Sequence, residues 1–221
     1  MTLSPRRRGR WLLAIGAALL VMAAVRGLLV QSFSVPSTSM QPTLEPGDRI
    51  LVSRLHRGPS IQRGDLVVFD GTTSFGASGE SSGGGVGQVL RSIASLFSFD
   101  TGTDYVKRVI GMPGDRVACC DATGSVTVNG IPLVEPYRYP GEAASDIRFD
   151  VVVPAGRIWV MGDHRSQSGD SRSRLGYPGG GMVPLDDVIG RVWVRYWPLD
   201  RVGTITDAPG VAVEIPTGAA H

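Results

Sequence analysis

The 221-residue sequence contains a single lysine, Lys107; the other 21 of its 22 basic side chains are arginine. Either residue serves as a surface cation, so a lone lysine among arginines directs attention to its site. Arginine stays protonated at any practical pH, whereas a buried lysine can lose its proton and act as a base. Cysteine is almost as scarce. Cys119 and Cys120 are the only two and they are adjacent, which excludes a CxxC redox pair and a zinc ribbon; vicinal disulfides are strained and rare, and the pair has no assigned role. The three histidines, His56, His164 and His221, have no HExxH spacing, so a zinc hydrolase is not expected. There is no GxGxxG after a strand-like run and no Walker loop. The glycine runs at Gly83–Gly85 and Gly179–Gly181 sit among Ser, Gly and Pro and read as loop.

Charge is unevenly placed. The formal net charge is +2, and the five arginines at positions 6, 7, 8, 10 and 26 are the only charged side chains before residue 27, so residues 27–221 carry −3. A slightly acidic body lacks the basic face that nucleic-acid binding needs.

Hydrophobic residues make up 42% and charged residues 19% of the chain, the balance of a globular body. One long apolar run stands at the N-terminus. Trp11–Val25 is uncharged, Arg26 interrupts, and the run resumes to Val30. Twenty helical residues span about 30 Å, the hydrocarbon thickness of a bilayer. Arg26 lies near the far end, where it can snorkel to the interface. The arginine cluster before the run holds the N-terminus in the cytoplasm. The expected organisation is a cytoplasmic tail at 1–10, a transmembrane helix at 11–30 and an extracytoplasmic domain at 31–221. A cleaved signal peptide, with Val21-Met22-Ala23 as its processing site, is the competing reading. Both readings export the chain.

The body reads as mainly β: antiparallel sheets coiled into a barrel-like domain. Gly-Asp pairs at 47–48, 64–65 and 114–115 each open a β-like run, RILVSRL, LVVF and RVAC. DYVKRVI from Asp104, SVTV from Ser125, Val151–Val153, Arg157–Met161 and Val188–Trp197 read the same way, and Asn129-Gly130 marks a hairpin. Ser32–Pro46 holds three prolines and reads as extended and stiff. Residues 71–103 read as a flexible insertion, Gly/Ser-rich at first, with a helical apolar stripe at Val86, Val89, Leu90, Ile93 and Phe97.

Two segments concentrate polar chemistry. PSTSMQPTL at 36–44 places serines between prolines, which suits either a stalk or a nucleophile held still. GDHRSQSGDSR at 162–172 packs two Asp, three Ser, two Arg and a His into eleven residues; it is a solvated loop unless its charges pair densely. Lys107 lies in the strand-like run between Val106 and Val109.

Four blocks in order, PSTSMQPTL at 36–44, GDLVVF at 64–69, YVKRVIGMPGD at 105–115 and GDHRSQSGDSR at 162–172, resemble the bacterial type I signal peptidases. The N-terminal apolar segment and RVWVRYWP at 191–198 agree. The resemblance implies a Ser–Lys dyad with Ser39 as nucleophile and Lys107 as general base. The lysine would have to be neutral, its pKa brought from ~10.4 toward ~7–8 by burial among apolar neighbours. The resemblance further implies that Ser168 hydrogen-bonds and aims the amine, that the Ser37 hydroxyl serves the oxyanion beside the N–H of Ser39, and that Asp163, Asp170 and Arg172 support the site. His164, Ser166 and Gln167 depart from the family's more usual Asn, Asp and Asn. Implied partners are signal-peptide-bearing preproteins and the lipid bilayer, with small residues at the first and third positions before the cut. No metal or cofactor is called for, and a monomer is expected. Two other readings remain open: a hydrolase using Ser39 and His164, although no G-x-S-x-G elbow is present, and a non-catalytic membrane-tethered binding module.

Overall fold

The computed structural model describes residues 14–17, 29–76 and 103–205. Residues 14–17 are helical; the rest of the segment expected to cross the membrane, and the stripe from Val86 to Phe97, lie outside the described residues. Among the described residues no helix is long and apolar enough to cross a membrane.

Twelve strands are described: β1 (Val30–Ser34), β2 (Arg49–Ser53), β3 (Leu66–Asp70), β4 (Asp104–Gly111), β5 (Arg116–Cys119), β6 (Val126–Val128), β7 (Ile131–Pro132), β8 (Phe149–Val152), β9 (Arg157–Met161), β10 (Val183–Pro184), β11 (Val188–Trp197) and β12 (Gly203–Thr204). They form two antiparallel sheets. The larger runs β1-β2-β11-β3-β4-β9-β10, with β12 added on β11; the smaller runs β7-β6-β5-β8. The late strand β11 inserts between β2 and β3, two strands from the first third of the chain. That central place explains β3, whose Leu66–Phe69 is buried on both faces and reads as an unbroken apolar run.

The sheets are antiparallel as expected, but the barrel does not close. The large sheet ends at β1 on one side and β10 on the other. β10 is only two residues long and its Pro184 has no N–H to extend the ladder, while the residues at the end of β1 border an open groove. Val30, assigned in the sequence to the apolar run, is the first residue of β1 and pairs with Ser53.

The recurring Gly-Asp pairs have one structural meaning. In each, an aspartate Oδ2 accepts the N–H of the residue three positions earlier: Glu45 N–H to Asp48 at 2.8 Å, Gln62 N–H to Asp65 at 2.8 Å and Met112 N–H to Asp115 at 2.7 Å. The glycine between them takes φ near +90° (92°, 91° and 90°), which a side chain would strain. All three aspartates are buried and each meets arginine: Asp48 meets Arg195 and Arg201, Asp65 meets Arg191, and Asp115 meets Arg63. Asn129-Gly130 forms the expected tight hairpin, with φ of 54° and 81°.

Two expectations for the loops are corrected. Beyond β1, residues 36–46 are a succession of turns rather than extended chain. Their base is closed by Val35 N–H to the Asp48 carbonyl at 2.9 Å and Gly47 N–H to the Val35 carbonyl at 2.8 Å. Residues 71–76, read as the start of the flexible insertion, fold back on the sheet: Phe75 is buried and packs edge-on against Phe69 and Tyr105. Cys119 and Cys120 are joined to each other by a disulfide, the arrangement that their adjacency had made least expected.

Candidate active site

The segment after β1 carries Ser39 to the face of β4. Met40 and Leu44 drop into the core beside Phe33, Ile50, Val52 and Leu66, and a hydrogen bond of 2.9 Å from Leu44 N–H to the Met40 carbonyl closes the turn between them. Burial of these two side chains fixes the serine's position from one side. It fills the role that the flanking prolines were expected to play alone.

Lys107 stands mid-strand on β4, opposite Val67 of β3. Its Nζ lies 2.6 Å from Ser39 Oγ. Lysine and serine are 3% and 6% exposed, so the contact is shielded from bulk water. Burial pushes the amine down from its ordinary value to about 8, against the pull of the Asp170 and Asp163 carboxylates, while the Arg172 guanidinium adds to the lowering. Burial dominates because each nearby carboxylate is already matched to a guanidinium. Asp163 accepts from Arg108 Nε at 2.8 Å and Nη2 at 2.6 Å, and from Thr43 Oγ1 at 2.5 Å. Asp170 accepts from Arg172 Nε at 2.9 Å and Nη2 at 2.7 Å, and from Gly162 N–H at 2.9 Å. Burial works to raise Asp170, but the Arg172 hydrogen bonds and charge outweigh it and hold the carboxyl below its ordinary value.

The residues expected from sequence thus gather in one place, with differences in detail. Ser37 is exposed and its Oγ lies 3.2 Å from Ser39 Oγ. The hydrogen bond expected from Ser168 to the lysine is not formed; Ser168 Oγ is buried and its hydroxyl is turned to Asp170 instead, helping to hold that carboxyl below its ordinary value. Asp163, Asp170 and Arg172 support the site through the pairings above. His164 does not reach the Ser39 hydroxyl. Its Nδ1 meets the Thr38 carbonyl at 3.2 Å, its Nε2 faces Glu142 at 3.3 Å, and its ring stacks on Tyr139 at 4.1 Å. The position a histidine base would need is taken by Lys107.

Three supporting residues were not singled out from sequence. Arg108, adjacent to Lys107 in the strand, also donates to the Gly64 carbonyl at 2.8 Å and lies over the Tyr137 ring at 4.0 Å. An arginine in a run otherwise rich in valine and isoleucine is the signal that could have found it. Arg165 and Glu135 form a buried pair behind the loop, and Arg165 also donates to the Ala144 carbonyl at 2.5 Å. The connection between β7 and β8 is therefore a backing plate for residues 162–172.

A groove of about 290 Å³ runs up to the dyad. One wall is Phe33–Ser37 with Ser39 and Met40; the other is Asp104–Lys107, with Val68 at the floor. β9 pairs with β4 at Arg108, Val109 and Gly111, so Asp104–Lys107 lies beyond the reach of that ladder.

The family model for signal peptidase, peptidase S26, matches residues 8–197. The chain belongs to the signal peptidase family. Among its relatives, a signal peptidase I of Mycobacterium tuberculosis is 37% identical, over 91% of this chain and 78% of that one. A probable signal peptidase I of Mycobacterium leprae is 36% identical, over 90% and 80%, and a signal peptidase I of Bacillus caldolyticus is 33% identical, over 91% and 97%. The match of this signal peptidase family member to its relatives spans both the segment carrying Ser39 and the strand carrying Lys107.

Proposed function

We propose that the protein removes N-terminal signal peptides from exported preproteins, as a membrane-anchored serine endopeptidase with Ser39 as nucleophile and Lys107 as general base. The observation that carries this reading is the buried contact of 2.6 Å between Lys107 Nζ and Ser39 Oγ, at an amine lowered to about 8. In its neutral form the amine accepts the Ser39 proton as Oγ attacks the scissile carbonyl. It then returns that proton to the departing amine of the mature protein. Ser39 N–H makes no hydrogen bond among the described residues, which suits it, with the Ser37 hydroxyl, to stabilise the oxyanion.

The groove supports the substrate class. An extended peptide laid along Asp104–Lys107 would add a strand at that edge, with alternate side chains turned toward the apolar floor. Phe33, Val35, Met40 and Val68 give the groove an apolar lining, in keeping with small apolar residues at the first and third positions before the cut. The anchor reading for residues 11–30, with the arginine cluster cytoplasmic and the domain outside, places such a groove near the membrane that holds a translocated signal peptide.

Purified full-length protein should cleave a preprotein at its signal-peptide junction, and Ser39→Ala and Lys107→Ala should each abolish cleavage while leaving the protein folded. A Lys107→Ala variant that retained turnover would remove the lysine from the mechanism.

A further inference from the structure

Residues 162–172 meet the nucleophile segment through His164. Its backbone N–H donates to the Ser39 carbonyl at 3.1 Å, and its side-chain Nδ1 lies 3.2 Å from the carbonyl oxygen of Thr38. Two successive carbonyls, those before and after the nucleophile's α-carbon, are thus held by one residue. A carbonyl can only accept, so the Nδ1 contact is a hydrogen bond when that nitrogen carries the proton.

The rest of the ring is fastened in turn. The Tyr139 ring stacks on it with planes 6° apart and centroids 4.1 Å apart. Glu142 faces Nε2 at 3.3 Å. Glu142 itself accepts from the Ser166 hydroxyl and, at 3.4 Å, from the Ser166 N–H. These contacts outweigh burial and, with the charge of His164, hold the Glu142 carboxyl below its ordinary value. The carboxylate thus flanks the Nε2 edge of the ring. Tyr139 is tied to the same loop, since its N–H donates to the Asp163 carbonyl at 3.0 Å. The imidazole is clamped by Tyr139 and Glu142, and its remaining hydrogen-bond contact among the described residues is with the peptide joining Thr38 to Ser39.

That peptide matters for chemistry. Its nitrogen is the Ser39 N–H that the proposed reaction aims at the oxyanion, and a carbonyl and an N–H of one peptide plane turn together. Holding the Thr38 oxygen therefore sets the direction of the Ser39 N–H. We propose that His164 is a positioning residue that orients the Thr38–Ser39 peptide, and with it the oxyanion donor and the Ser39 side chain, through Glu142 and Tyr139. It does not touch the reacting atoms and takes no proton from Ser39. The inference rests on the peptidase reading above and deepens it.

The test uses full-length protein in detergent with a preprotein substrate, with wild type and Lys107→Ala measured alongside. His164→Ala should lower kcat about tenfold to a hundredfold, the effect of a small misplacement at a reacting centre, with KM changed less than threefold. His164→Asn should recover most of the loss, because its amide can donate to the Thr38 carbonyl. Glu142→Gln should fall between wild type and His164→Ala. Each variant's melting temperature is recorded, so that loss of folded protein is separated from loss of turnover per folded molecule. Wild-type kcat in His164→Ala, or an asparagine variant no better than alanine, overturns the positioning role. Absence of cleavage by the wild type would instead overturn the peptidase reading, so the two failures are distinguishable.

Discussion

Gly162 lies directly against the carbonyl oxygen of Ser39: a β-carbon in its place would stand 2.5 Å from that oxygen and 2.2 Å from Ser168 Oγ. The first neighbour is backbone and cannot swing aside. The glycine is needed for closeness, not for an unusual backbone angle, since it is what allows the 162–172 loop to reach the nucleophile segment. Gly162→Ala should therefore push the two apart by a large fraction of an ångström. Turnover of a preprotein should drop about a hundredfold, the scale associated with misplacement near 1 Å, in a protein that still folds. Near-wild-type turnover would mean that the loop can retreat without disturbing Ser39.

Lys107 predicts a pH profile. With its pKa lowered to about 8 by burial, the amine is mostly protonated at neutral pH and gains base character as pH rises. The rate constant kcat/KM for a preprotein should climb roughly tenfold per pH unit below the pKa and level off above about 8. Lys107→Arg should be inactive across the range, because a guanidinium keeps its proton. A profile that was flat between pH 6 and 9 would argue against a lysine base.

The same shift has a cost in stability. A lysine whose folded pKa lies near 8, against 10.5 for the free side chain, binds its proton less well folded than unfolded. Its contribution to stability is thus fully present only above the unfolded pKa and is lost as pH falls toward the folded value. At neutral pH the penalty is on the order of 3 kcal/mol. Lys107→Met, which fills the same space without charge, should be inactive and more stable by about 1–3 kcal/mol in denaturant unfolding at pH 7. The difference from wild type should shrink between pH 8 and 10.5.

Much of this was legible in the sequence, for physical reasons that differ by element. Strands β2, β3, β4, β5, β6 and β9 announced themselves because β-branched runs follow turn residues whose geometry is local: a Gly-Asp turn needs only its own four residues. Lys107 drew attention as one lysine in an apolar strand, but its pairing with Ser39 came only from the resemblance of the four sequence blocks, since composition alone left the Ser39 segment readable as a stalk. β1 was hidden because its first residue continues an apolar run and its pairing with β2 is visible only in three dimensions. Barrel closure could not be read, since it depends on which edges meet. The roles of Arg108 and Gly162 were out of reach for a related reason: they act on Asp163 and Ser39, partners 55 and 123 positions away in the chain.

Arg108 and Asp163 give the last prediction. The pair is buried at 2% and 0% exposure and lies beneath the dyad, joining the strand of Lys107 to the 162–172 loop and, through Thr43, to the nucleophile segment. Removing one partner leaves the other charge buried and uncompensated. Asp163→Asn should therefore destabilise the protein by about 3–5 kcal/mol. It should also move the alkaline rise of kcat/KM to lower pH, because the Asp163 carboxylate pulls the Lys107 amine upward. Arg108→Met combined with Asp163→Leu removes both charges and should regain much of the lost stability, since buried pairs replaced by apolar residues of similar size often cost little. Chemical denaturation of Arg108→Met, of Asp163→Leu and of the double variant measures their coupling directly. Additive losses would show that Arg108 and Asp163 act on the fold independently. A pH profile unmoved in Asp163→Asn would show that the carboxylate's charge does not reach the amine.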